Sequence, residues 1–156
     1  MPRLTLIMLL GMLSLIMAIG CSRSEVDSSA ESSTDTSTTA IEGSVIARGQ
    51  FVDKGGQHTS GSYTIERIGA DLQLILGDDF RTDEGPDLHV VLTPTKVADA
   101  GNDNAMVEGA EIVGALALQA GKQVYDLRDD LSVEQFHSVV IHCIEYSHLY
   151  GAAPVQ

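Results

Sequence analysis

The sequence predicts an all-β domain, an antiparallel β-sandwich or barrel of about seven or more strands. Apolar residues recur at every second position in short runs, Tyr63 and Ile65, then Leu72, Leu74 and Leu76, then Leu88, Val90 and Leu92. Such alternation puts one apolar face on a strand. Clusters of Gly, Asp, Asn and Pro separate the runs at the spacing of a meander, as in Gly77-Asp78-Asp79 and Asp83-Glu84-Gly85-Pro86. Helical signals are confined to Ser132-Val133-Glu134-Gln135, where Ser132 is placed to cap a short turn and Gln135 to reciprocate.

In chain order, strands are expected over 44–52, 61–68, 71–77, 87–93, 111–118, 122–127 and 136–147. Lys54-Gly55-Gly56 ends the first, and Ile68-Gly69-Ala70-Asp71 turns the second into the third. Phe80 is expected to plug the core after the third, with Pro86 fixing the loop that follows. Residues 94–110, polar and small, read as a long loop. Ile112, Gly114, Leu116 and Leu118 are assigned to one face of the fifth strand, and Tyr125 and Leu127 to one face of the sixth. The seventh carries Val139-Val140-Ile141-His142-Cys143-Ile144, with Val139, Ile141 and Cys143 on one face and Val140, His142, Ile144, Tyr146 and His148 on the other.

Ahead of this domain, residues 1–20 have the build of a signal peptide, a basic Met1-Pro2-Arg3 start and an apolar run from Leu4 to Ile19. Met17-Ala18-Ile19-Gly20-Cys21 resembles the bacterial lipobox, which implies that Cys21 is lipidated and becomes the new N-terminus. Residues 21–40 are then a lipidated end and a Ser/Thr/Asp/Glu-rich tether with too little apolar surface to offset its ordering entropy. Residues 41–156 form the β domain. The expected setting is a bacterial cell envelope, with the chain held on a membrane through Cys21 and facing the periplasm or the exterior. The net charge is −13, becoming −14 once Arg3 is removed, which argues against a nucleic-acid partner.

With Cys21 committed to lipid, Cys143 is the one remaining cysteine of an exported chain. It reads either as a core thiol, since free cysteine behaves as a small buried hydrophobe, or as a soft thiolate ligand for copper or haem iron. Alternation turns the adjacent His142 away from the thiol. Cys143 and His148, with four residues between, look like the cysteine and histidine end of a cupredoxin copper site. No methionine follows, and a second imidazole would come from His58, His89 or His137. His58 in a Gly-rich turn and His89 beside Asp87 are further metal candidates, weighed against solvent-exposed histidines. Asp78, Asp79, Asp83, Glu84 and Asp87 lack a calcium-loop pattern and read as a solvated acidic turn. No catalytic motif stands out, so the chain is not expected to be an enzyme, and the lack of Cys-x-x-Cys ranks disulfide exchange last.

Several stretches in order resemble the DM-thirteen domain over about residues 48–153. They are Arg48-Gly49-Gln50-Phe51, Ser60-Gly61, Asp79-Phe80-Arg81-Thr82, Gly85-Pro86-Asp87-Leu88-His89-Val90-Val91-Leu92, Gly121-Lys122-Gln123-Val124-Tyr125-Asp126-Leu127, Ser138-Val139-Val140-Ile141-His142-Cys143 and Tyr150-Gly151-Ala152-Ala153. The family usually carries Trp just before the cysteine, where this chain has His142. The resemblance implies an electron-transfer role centred on Cys143, with a redox partner protein. The alternative is a non-catalytic envelope interaction or assembly lipoprotein in which Cys143 is structural.

Overall fold

The computed structural model describes residues 43–156, so the signal segment, Cys21 and the tether lie outside the described residues. Eleven strands follow in order: β1 Ser44–Gln50, β2 Val52–Asp53, β3 Thr59–Ser60, β4 Ser62–Ile68, β5 Asp71–Leu76, β6 Arg81–Thr82, β7 Leu88–Thr93, β8 Glu111–Ala115, β9 Gln123–Leu127, β10 Ser138–Cys143 and β11 His148–Pro154. All pairings are antiparallel, as the short turns between alternating runs demand.

One sheet runs β1-β4-β5-β9, a second β2-β11-β10-β7-β8, and β3 pairs with β6 in a small ribbon. The main core lies between the two large sheets, where Tyr63, Ile65, Leu72, Leu74 and Leu76 meet Leu88, Val90, Leu92, Val139, Ile141 and Cys143. Phe80 plugs this core as expected, fully buried and edge-on to Phe51 with ring centroids 5.5 Å apart.

A second, smaller core covers the outer face of the second sheet. There Val97, Ala100, Ala105 and Ala110 of the 94–110 segment pack on Val91, Val140, Leu149 and Ala152. That segment forms no strand or α-helix, as expected, but it is tied down at several points. Thr95 Oγ1 donates to the Asn104 carbonyl at 2.7 Å, Ser138 Oγ to the Thr95 carbonyl at 2.7 Å, and Lys54 Nζ to the Val97 carbonyl at 2.5 Å. Consequently every residue of β10 is buried, on both faces.

Three expectations are corrected. The strand expected over 136–147 ends at Cys143. A turn with Ser147 at φ 48° follows, and His148–Pro154 returns as β11 with a bulge opposite Ile141 and His142. The assignment of the fifth strand's faces holds only in part: Leu116 packs against the core, but Ile112 is 48% and Leu118 57% exposed and Val113 packs inward, with a register shift between the partners of Ile112 and Gly114. β8 is the edge of its sheet, where an outward isoleucine meets solvent without loss of pairing. At 132–135 the turn is a 3-10 helix, Val133–Gln135, yet Ser132 makes no cap. Its hydroxyl donates to the Glu134 carboxylate at 2.7 Å instead, a nearer acceptor than the backbone, and Gln135 does not reciprocate.

Candidate functional site

Cys143 ends β10 and is 1% exposed. Its register partners are Leu88 on β7 and His148 on β11, and its side chain joins the core between the sheets. Tyr150, in the bulged part of β11, belongs to the same cluster. Its hydroxyl reaches the Glu84 carbonyl at 3.4 Å, in the acidic loop beneath which Cys143 lies. A side chain added at Gly85 would meet both that hydroxyl and Leu88 Cδ2 at 2.7 Å, so the loop, the tyrosine and the start of β7 are in close contact. Burial pushes the Tyr150 hydroxyl pKa up, and the nearby Cys143 thiol and Asp83 carboxylate add to the shift by disfavouring a further negative charge.

His142 points the other way, as alternation requires, into the small core under the 94–110 segment. It is 1% exposed, and neither Nδ1 nor Nε2 has a hydrogen-bond partner among the described residues. Burial lowers its pKa; the Asn102 backbone, close by without hydrogen-bond geometry, pulls the opposite way, and His148 lowers it further. His148 is half-buried, with its ring edge-on to Tyr150 at 5.5 Å and a buried Nε2 that also lacks a partner. The pairing of Cys143 with His148 is therefore real in register, and His148 Nε2 lies 3.1 Å from where a Cβ on Gly55 would stand.

His89 lies directly across from His142 on β7. It stands on the face away from Leu88 and Val90, as expected, and its Nδ1 sits 3.3 Å from the Asp87 carbonyl and 3.4 Å from Asp87 Oδ1. The His58 side chain is 84% exposed. Its Nδ1 meets Asp53 Oδ2 at 3.0 Å and its backbone N–H donates to Asp83 at 2.8 Å. The Asp53 hydrogen bond raises the His58 pKa, and the Asp53 and Asp83 charges reinforce it.

In the acidic turn, Asp79 anchors the start of β4. Asp79 Oδ1 accepts from the Ser62 N–H at 2.9 Å and from its hydroxyl at 2.7 Å, which holds the Asp79 pKa down. Among the described residues no group of three or more His, Cys, Asp or Glu stands where it could hold a metal. The set Cys143, His148, His89 and His58 is thus not brought together. Haem or copper does not fit at Cys143 as the core is packed, because the thiol is buried in a cluster of apolar side chains. A cavity of about 690 Å³ lies elsewhere, against β1, β4 and the C-terminus, lined by Arg48, Gln50, Tyr63, Thr64, Val97 and Pro154.

Sequence reasoning missed Asn102, Tyr150 and the burial of His142. A histidine where the family usually has Trp was the available signal, because that position calls for a large side chain packed in an interior.

A consequence for acid stability follows from His142. Its folded pKa lies below the ordinary value of 6.5, so the unfolded chain takes up the proton first. The stability it supports is complete above about pH 6.5 and is lost as pH falls from there toward the folded pKa. His58 has the opposite sign, since its raised pKa stabilises at low pH and that contribution is lost as pH rises through the folded value. Its exposure keeps that effect small. Urea midpoints should therefore fall from pH 7 to pH 5, with a flatter slope in His142→Gln; an unchanged slope in that variant would contradict the assignment.

The fold and the thiol together define a class: a small all-β sandwich with one guarded cysteine at the end of a central strand. A family model described as "Electron transfer DM13" matches residues 50–155, and the chain belongs to that family. No curated protein and no solved structure matches the chain.

Proposed function

We propose that the protein is a lipid-anchored module of a bacterial envelope that passes single electrons through Cys143. The family supports an electron-transfer role. The observation that carries the finer reading is the contact of the cysteine's core cluster, through Tyr150, with the surface loop at Glu84. In a one-electron step the Cys143 thiol loses an electron and a proton to become a thiyl. Tyr150 is the side chain through which the electron reaches the surface, and an oxidised one-electron carrier protein accepts it while solvent takes the proton. The anchor on Cys21 and the acidic tether would hold the domain within reach of such a carrier.

The competing reading is an interaction or assembly lipoprotein with a structural thiol, favoured by the 1% exposure of Cys143. One experiment separates them. The full chain is expressed in a bacterial envelope, fractionated, and the purified protein examined by voltammetry. The wild type should sediment with membranes and give a one-electron wave. Cys21→Ser should move it to the soluble fraction, Cys143→Ser should abolish the wave while keeping the fold, and Tyr150→Phe should slow electron exchange. A wave that survives Cys143→Ser, or no wave in the wild type, leaves the structural reading standing.

A further inference from the structure

Where β1 passes into β2, the chain crosses from the edge of one large sheet to the edge of the other. Ala47 and Phe51 are buried, so alternation puts Arg48, Gln50 and Val52 on the outer side. Register sets Thr64 beside Arg48 and Ser62 beside Gln50, whereas Val52 pairs with Ala152 of the second sheet. All five outward side chains line the cavity of about 690 Å³, and Val97 of the 94–110 segment joins Val52 there. Lys54 Nζ holds the Val97 carbonyl, which fixes that wall. The cavity is therefore polar along the first sheet and apolar along the second, and its volume falls within the range of about 300–1,000 Å³ usual for small-molecule sites.

Arg48 supplies its positive charge, in a chain of net charge −13. Among the described residues Arg67, Arg81 and Arg128 each donate to a carbonyl or a carboxylate, but the Arg48 guanidinium does so to none. Glu66, two residues along β4 from Thr64, accepts from the Thr64 hydroxyl at 2.9 Å instead. We propose that the cavity binds a single-chain amphiphile with a carboxylate head, of the fatty-acid class. A carboxylate matches the planar fork of a guanidinium, and one cation matches its single charge. The acyl chain then lies along Val52 and Val97, where only apolar surface is offered. The strongly acidic domain disfavours the alternative of docking on an anionic bilayer, so the ligand is assigned as a free molecule. Neither Cys143 nor Tyr150 lines the cavity, so the site stands apart from the redox reading.

The test is calorimetric titration of dodecanoate, below its micellar concentration, into the full chain carrying Cys21→Ser, which needs no competing detergent. One site per chain is expected, and each CH2 added from octanoate to dodecanoate should tighten binding by up to about fourfold, the yield of a buried methylene. Arg48→Gln should weaken dodecanoate roughly tenfold or more, and dodecanol should bind the unaltered cavity more weakly by a similar factor, since each change removes the charge-assisted hydrogen bonds. Val52→Asp, at an exposed position, should flatten the dependence on chain length while circular dichroism stays unchanged. Cys143→Ser should leave the affinity within about threefold, although it removes the redox wave, so the two readings fail separately. Absence of saturable binding would mean that the guanidinium is satisfied within the chain, and would overturn the assignment. Equal affinities for dodecanoate and dodecanol, or pelleting with phosphatidylglycerol vesicles that dodecanoate does not displace, would overturn it as well.

Discussion

Phe80→Ala should cost about 4 kcal/mol, the middle of the range for deleting a buried aromatic ring. Phe80 comes from a turn rather than a strand, yet its side chain is fully buried between Phe51 and the leucines of β5. Its N–H donates to the Gly77 carbonyl at 3.1 Å, and its carbonyl accepts from the Gly121 N–H at 2.9 Å and from Arg81 Nη1 at 2.6 Å. The backbone is thus held from several sides and cannot sink to fill the space, the condition under which a cavity is most costly. Urea unfolding monitored by tyrosine fluorescence measures the loss. A change below about 1 kcal/mol would mean that the turn collapses into the gap and that the plug is dispensable.

Gly61→Ala should cost about 3 kcal/mol, from two sources that add. Gly61 has φ 99°, a conformation that disfavours any side chain, and a Cβ there would stand 2.4 Å from Phe80 Cα and 2.6 Å from the Asp79 carbonyl oxygen. Those are backbone atoms of the turn that positions Phe80, so relief of the clash must move the plug. Gly69→Ala is the control: its φ of 65° is also left-handed, but nothing lies within 4 Å of the added methyl. It should cost only about 1 kcal/mol, the conformational part alone. Equal losses at the two glycines would show that contact with the Phe80 turn contributes nothing.

The sandwich was legible in the sequence wherever one strand face met solvent. In β4 and β5 the buried residues Tyr63, Ile65, Leu72, Leu74 and Leu76 fall at every second position, and the alternation read from the chain is the one observed. The reading weakened where both faces are covered. β10 and most of β11 are buried throughout, so Tyr150-Gly151-Ala152-Ala153 carries no alternation to mark it as a strand. Short strands such as β2, β3 and β6 are two residues each and exist because neighbours pair with them, which no local pattern encodes. At the site, alternation placed Cys143 and His142 on opposite faces correctly. It did not show that the 94–110 segment turns the second face into an interior, because that depends on packing between residues forty positions apart. The half-burial of His148 was hidden for the same reason, since Gly55 and Asn102 come from distant turns.

The double burial of β10 gives two neighbouring residues different protection. Water reaches His142 if the 94–110 segment alone lifts away, a local event that leaves both large sheets paired. It reaches the sulfur of Cys143 only when the sandwich itself comes apart or the Tyr150 loop yields. One peptide bond therefore spans two free-energy scales of opening, so slow exchange at the thiol is compatible with ready access at the imidazole.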